Sequence, residues 1–380
     1  MKIEARRRRV IGAEDEPPDP GSGNQGATVS GRATALIIAA ILILAALVAV
    51  VGESSPTFGG GPDFLSRLAS FVRAALGGGL SSTNDLSLYS PLIQNGSADI
   101  SYPSNYDTLA SYALSLVNKD REGFNLSAVT LSPNPAAQQH ADSMLRYGYF
   151  SHWDTQGLTP YMRYTLLGGN GAVEENVAYL TYSQAHFLST AAEEDAIKYL
   201  EDSMMYDDRL CCNNGHRDNI LNPLHTRVSI GVAFNLTTLL FAEDFESYYV
   251  DLNFSVSAGY SVSMTGTPSG TAFTATEALV TYDPPPSEET PFQLNTGPRE
   301  YGPGILVGGV LPPCVFLCPK FSRGLTAYAT TWKFTTTRTD VEFQLSGFIK
   351  QYGAGVYTIY LLTGADTATA ITSISVFVQK

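Results

Sequence analysis

Twenty consecutive positions without a charge, Ala33 to Gly52, interrupt an otherwise mixed N-terminal sequence. At about 1.5 Å rise per residue such a run crosses the roughly 30 Å hydrocarbon core of a bilayer. The pattern predicts one transmembrane helix over 33–52. Beyond it, Phe64, Leu65, Leu68, Phe71, Val72 and Ala75 recur at helical spacing between Asp63 and Leu76, with Arg67 and Arg73 towards the other side. This reads equally as an interfacial helix on the membrane surface or as a stalk helix packed on the next domain. Gly77-Gly78-Gly79 stops it, so 53–105 is a juxtamembrane helix followed by a linker.

From Tyr106 the periodicity is helical. Leu109, Tyr112, Ala113, Leu116 and Val117 mark a first helix. Pro135 opens a second through Ala137, Ala141, Met144 and Leu145, which Gly148 ends. Thr190 and Glu193 predict a capping box before Ala196, Ile197, Leu200 and Met204. Arg227–Phe234 and Leu239–Phe245 read as two strands joined by a short turn. After about Tyr249 the texture is all-β: Thr276–Tyr282, Lys333–Thr337, Val341–Leu345, Val356–Leu361 and Ile374–Val378 alternate between Gly, Pro and Asp clusters. The expected organisation is a helical and β domain over 106–248 and a β-sandwich over 249–380, preceded by a disordered tail over 1–32 and the membrane helix.

Charge gives the membrane segment an orientation. Arg6, Arg7, Arg8, Arg9 and Arg32 precede it, which places the N-terminus in the cytoplasm and the later domains outside. A cleaved signal peptide is the rival; the apolar run exceeds the usual length of a signal core, which favours a signal-anchor. The chain carries net charge −13. Residues 1–32 hold six basic and five acidic side chains, and the remainder 17 basic against 31 acidic, so the exterior carries −14. Such acidity argues against nucleic acid as a partner. All four cysteines, Cys211, Cys212, Cys314 and Cys318, and the sequons at Asn95, Asn125, Asn235 and Asn253 lie on the outer side, as expected of a disulfide-bonded glycoprotein. Cys314 and Cys318 are spaced to close a small loop, whereas adjacent Cys211 and Cys212 are not expected to bridge.

Sequence motifs for common hydrolases and phosphate-binding loops are absent: there is no His-Glu-x-x-His, no Gly-x-Ser-x-Gly and no Cys-x-x-Cys. Two histidines sit in unusually polar surroundings, His152 in Tyr-Phe-Ser-His-Trp-Asp and His216 in Asn-Asn-Gly-His-Arg-Asp-Asn, with Glu175 between them in Glu-Glu-Asn-Val-Ala. Spacing alone does not bring these together. Taken singly, His140 reads as a packed helix residue, and His186 and His225 as surface or turn residues. Asn213 or Asn214 is placed to cap a short helix, and Asn176 to brace a loop.

The blocks acquire meaning in order. Leu116-Val117-Asn118 through Arg121, Ala137–Ala141 through His152, Thr159-Pro160 with Arg163, Glu175–Ala178, Gly215–Leu221, and the closing hairpin Ile230–Ala233 with Phe241–Phe245 together resemble the CAP superfamily (cysteine-rich secretory, antigen 5 and pathogenesis-related proteins), in its short bacterial and archaeal branch. The resemblance implies an α+β fold, an α-β-α sandwich whose cleft gathers two His and two acids. His152, Glu175 and His216 match three of these positions. The fourth, a Glu three residues after a Trp, has no match, and Asp202, Asp207 and Asp208 are the nearby acids. The resemblance implies binding of lipid, glycan or surface protein rather than a defined enzymatic activity. Zn²⁺ on His152 and His216 is one further expectation. An extracellular metal-dependent hydrolase and a structural surface-layer or adhesion component are the alternatives.

Overall fold

Leu109, Ala110, Ala113 and Val117 form one buried stripe on α1 (Tyr106–Gly123), the spacing that puts apolar side chains on one face of a helix. The computed structural model describes residues 100–269, 273–363 and 369–379, all within the compact unit Thr83–Lys380. The predicted transmembrane helix, the juxtamembrane helix and Asn95 lie outside the described residues. Among the described residues no helix is long and apolar enough to cross a membrane.

After β1 (Thr130–Leu131), helix α2 (Ala136–Tyr147) runs from Pro135 to Gly148, which adopts φ 71° and closes it. Glycine takes this left-handed conformation without a Cβ penalty. Helix α3 (Pro160–Leu166) leads into β2 (Ala172–Thr181), and α4 (Thr190–Tyr206) follows. The capping box expected at Thr190 and Glu193 is not the one formed. Ser189 caps α4 by accepting from the Ala192 N–H, while Thr190 and Glu193 turn to the Asn105 side-chain amide at 2.9 and 2.6 Å. The tertiary partner wins over the local one. Two short helices, α5 (Arg209–Cys212) and α6 (Gly215–Ile220), precede the hairpin of β3 (Arg227–Phe234) and β4 (Thr238–Ser247).

The strands pair in the order β1-β3-β4-β2, leaving β2 at an edge. Alternation along each strand then builds three layers. Val228, Ile230, Val232, Phe241 and Phe245 pack with α1 and α4 on one face. Ala233, Leu240, Ala242 and Val177 pack with Ala137, Ala141 and Met144 of α2 on the other. Helix α2 approaches β3 closely: a Cβ on Gly231 would lie 2.1 Å from the Ala137 carbonyl oxygen.

The remaining strands form two mainly antiparallel sheets sharing one core. One has the order β10-β11-β6-β5, and the other β13-β12-β7-β8-β9 with β14 also paired to β12. Their ranges are β5 (Val250–Val256), β6 (Ser261–Pro268), β7 (Ala275–Asp283), β8 (Ile305–Leu311), β9 (Leu325–Tyr328), β10 (Thr331–Phe334), β11 (Thr339–Gln344), β12 (Gly355–Thr363), β13 (Thr369–Ala370) and β14 (Ile374–Val378). Val262, Met264, Val341 and Phe343 from one sheet meet Val280, Val310, Ile359 and Leu361 from the other. Two helices, α7 (Pro291–Thr296) and α8 (Ser346–Tyr352), interrupt the expected all-β texture. The short α8 is carried by Phe348 and Ile349, which enter the same core.

Gly231→Ala is expected to lower stability by about 1–3 kcal/mol, because the backbone of α2 has no room to retreat without opening the sheet. The loss is read from denaturant-induced unfolding.

Candidate functional site

The edge strand β2 places two consecutive polar side chains on opposite faces of the first sheet. Glu175 turns towards α2 and α3, and Asn176 towards α4 and α6. This corrects the expectation of a loop around Asn176. Both residues are inside a ten-residue strand paired to β4, with Glu175 opposite Asp244 and Asn176 opposite Glu243.

Glu175 is buried and surrounded by donors. Its Oε2 accepts from the Arg163 guanidinium at 2.6 Å and contacts His140 Nδ1 at 2.8 Å, and its Oε1 contacts His152 Nδ1 at 2.8 Å. Burial pushes its pKa up, but Arg163 and His140 outweigh that effect and hold it well below the usual carboxylate range. Burial and the nearby Arg163 hold His140 below the ordinary imidazole range. The ring is neutral, its Nδ1 within hydrogen-bonding reach of both Glu175 Oε2 and Arg163 Nη2 (2.9 Å), and its buried Nε2 has no hydrogen-bond partner. His140 is thus no mere packing residue. Arg163 also donates to the carbonyls of His152 and Leu158, at 2.8 and 2.7 Å, fixing the turn that carries His152. Asp244, opposite Glu175, is pushed well above the carboxylate range by burial and by the Glu175 charge.

His216 is held separately. Its Nδ1 lies 2.7 Å from Asp208 Oδ1, and Asp208 Oδ2 accepts from the backbone N–H groups of His216 and Arg217. Asn213 and Asn214, at φ 51° and 68°, turn the chain between α5 and α6 so that one carboxylate meets both. Asp208, not Asn213 or Asn214, therefore satisfies the start of α6. Of the three candidate acids, Asp202 pairs with Lys198 on the surface of α4 and Asp207 is exposed; Asp208 is the acid that serves a cleft histidine. The signal was an Asp eight residues before His216 with an Asn-Asn-Gly reversal between them. Asn176 fastens β2 to α6, donating to the His216 carbonyl at 3.1 Å and accepting from Asn219 at 2.9 Å.

The second domain covers this site. The segment 284–304 between β7 and β8 lies over the turn 148–157. Asn295 accepts from the Phe150 N–H at 2.9 Å and donates to the Gly148 carbonyl, while Arg299 donates to the Phe150 carbonyl. Tyr301 accepts from the Glu175 N–H at 2.7 Å, and its ring lies 4.7 Å from that of His152. No pattern in the sequence pointed to Tyr301, because it acts across 126 residues of chain.

Chemically the domain offers three imidazoles with Nδ1 on a carboxylate and Nε2 turned away from it, His140 and His152 on Glu175 and, separately, His216 on Asp208. That is the arrangement in which histidine ligates metal through Nε2. Glu175, however, is committed to Arg163, His140 and His152. Among the described residues, the group of three or more potential ligands with atoms all within 4.8 Å is Asp208, Cys211 and Cys212. His152, Glu175 and His216 do not form such a group. The two cysteines are joined to each other, correcting the expectation that neighbours would not bridge, and so offer no thiolate; Cys314–Cys318 is the second disulfide. A zinc site with three protein ligands is therefore not assembled here. Ser151 is not placed as a nucleophile either: its Oγ accepts from the Trp153 N–H. His225, read above as a surface or turn residue, is buried between Glu174 and Ser247.

On the opposite face a second acidic pair is buried. Glu201 of α4 and Glu243 of β4 are in hydrogen-bonding contact, and three of their four oxygens have no other partner. Burial and the Glu243 charge push Glu201 well above the carboxylate range, and burial pushes Glu243 up to about 7. The pair is connected to the His216 backbone through Asn176, whose amide reaches Glu243 Oε2 at 3.4 Å.

Residues 114–239 match the family model described as "CAP: Cysteine-rich secretory protein family". Among solved structures, the CAP domain of Enterococcal PrgA is similar at 15% identity over 50% of this chain and 83% of that one, with a TM-score of 0.28. No curated protein matches the chain.

Arg163→Leu is expected to cost about 3–5 kcal/mol of folding stability, since it strands a buried carboxylate; chemical denaturation at pH 7 measures it. The pH dependence has a definite sign. Glu201 and Glu243 bind protons more tightly folded than unfolded, so their contribution is present below about pH 4.3 and is lost as pH rises through about 7 for Glu243. Glu175 acts oppositely and loses its contribution only as pH falls well below its ordinary range. The Glu201–Glu243 contribution should fall between pH 5 and pH 8, so Glu243→Gln relative to wild type should show a difference in unfolding free energy that changes by on the order of 2–3 kcal/mol across that window.

Proposed function

We propose that this chain, whose residues 114–239 carry a CAP domain, is a membrane-anchored interaction module displayed outside the cell, which holds a lipid, glycan or surface protein at the rim of the His152–His216 cleft. One observation carries the reading. The cleft carboxylate that a hydrolase would need as a free acid, base or ligand is already saturated, because Glu175 holds Arg163, His140 and His152 at once. The chain's own Tyr301 lies against His152. A site whose carboxylate is held from three sides suits recognition by shape and by the remaining imidazole edges. It offers little of the mobile acid–base chemistry that turnover requires.

The membrane anchor is the apolar run 33–52, with the Arg-rich N-terminus inside. The sequons Asn125, Asn235 and Asn253 are solvent-exposed and open to glycosylation. His152 and His216 are the residues that would hold zinc, which when bound would supply a Lewis-acidic point of attachment. The metal-dependent hydrolase is the weaker reading, since the third protein ligand it requires is tied up.

The full chain, tested against vesicles, glycan arrays and peptide libraries, should retain a ligand without altering it. The double substitution His152→Ala/His216→Ala should weaken that retention at least tenfold when measured well below its own thermal midpoint, which falls because Glu175 Oε1 loses His152. Hydrolysis of any of these probes that disappears in the double variant would overturn the proposal.

A further inference from the structure

The sharpest exposed apolar feature among the described residues is far in sequence from the cleft. Between β8 and β9 the chain reads Pro312-Pro313-Cys314-Val315-Phe316-Leu317-Cys318-Pro319-Lys320. The disulfide Cys314–Cys318 closes a five-residue tip. Relative exposure is 101% for Val315, 81% for Phe316 and 85% for Leu317. None of the three belongs to an apolar cluster of the described residues. Leu317 adopts φ 51°, a left-handed conformation that disfavours a leucine and would be cheaper for Gly or Asn. A bulky apolar side chain is therefore kept in solvent at a conformational cost.

The tip is braced from beneath. Three prolines restrict the backbone on either side, the Tyr328 hydroxyl donates to the Pro319 carbonyl at 2.5 Å, and the Phe321 N–H donates to Thr326 Oγ1 at 2.9 Å. The ring of Phe321 fills the space over Gly309 of β8. The three apolar side chains thus sit on a short fixed knob.

Charge identifies what the knob meets. In a chain of net charge −13, residues 301–339 contain Lys320, Arg323, Lys333 and Arg338 and no acidic residue. Arg338 is paired with Asp340, whereas Lys320 and Arg323 are exposed immediately behind the tip. Three consecutive apolar side chains projecting around a convex point, followed by two cations within six residues, match the depth profile of an anionic bilayer surface: acyl chains below, phosphates above. A fluid interface can bury all three side chains together, whereas a protein groove would have to surround the tip.

We propose that the Cys314–Cys318 knob docks into the surface of an anionic lipid bilayer, with Val315, Phe316 and Leu317 in the acyl boundary and Lys320 and Arg323 on the phosphates. This surface is separate from the cleft and stands whether or not the cleft binds anything.

The test uses the full chain held in neutral phosphatidylcholine nanodiscs, mixed with protein-free vesicles of phosphatidylcholine and phosphatidylglycerol at about 7:3 and floated on a density gradient. Wild type should float with the vesicles, and empty nanodiscs should not. Phe316→Asp and the pair Lys320→Glu/Arg323→Glu should each reduce flotation at least tenfold, the latter from about fivefold per cation at an anionic surface. Because these side chains are exposed, an unchanged thermal midpoint will show that the variants remain folded. Leu236→Asp, at another exposed apolar position (58%), should float as wild type does. Equal flotation of wild type and Phe316→Asp, or equal loss in Leu236→Asp, overturns the proposal. Failure of wild type to float also overturns it, and passes the knob to a protein partner.

Discussion

A carboxylate that cannot reach water has to be answered by the protein, and Glu175 is answered from three directions. Arg163 comes from α3, His140 from α2, and His152 from the turn between them. The desolvation cost of such a buried charge is several kcal/mol and is offset only by close, well-oriented partners. This requirement ties α2, α3 and the turn 148–157 to the edge strand β2. Arg163 extends the tie by donating to the backbone of His152 and Leu158. The second domain then covers the site through Tyr301, Asn295 and Arg299. The position of the sandwich against the first domain at this point follows from the same cluster.

The two faces of β2 solve the same problem with different chemistry. On one, opposite charges meet, and the acid stays ionised. On the other, Glu201 and Glu243 face each other without a cation, so the pair retains protons that free carboxyls would release. Glu175 and Asn176, adjacent in sequence, belong to these separate environments because side chains alternate along a strand. Their shared backbone is the shortest path between them. Glu243 and the His216 carbonyl share one donor, the Asn176 amide.

Much of the first domain was legible. The helical stripes of α1 and α2, the stop at Gly148 and the strands β3 and β4 follow from local periodicity and backbone preference, and β14 matches Ile374–Val378. Misreadings fell where a distant partner overrode a local rule. Thr190 and Glu193 left their capping box for Asn105, Asn176 became part of a strand, and α8 formed because Phe348 and Ile349 could fill the sandwich core. Asp208 could not be chosen over Asp202 or Asp207 until the Asn213-Asn214 reversal placed it under His216.

The sequence by itself determined the main helices and strands and the cysteine and charge distribution, because local periodicity carries that information; His152, Glu175 and His216 were picked out by a resemblance between ordered blocks, not by spacing. Only the tertiary structure decided what those residues face. It gave Glu175 to His140 and Arg163, gave His216 to Asp208, and laid Tyr301 of the second domain against His152. These contacts join residues as far apart as His152 and Tyr301, 149 positions along the chain. Their energies depend on burial and orientation, neither of which a linear spacing contains.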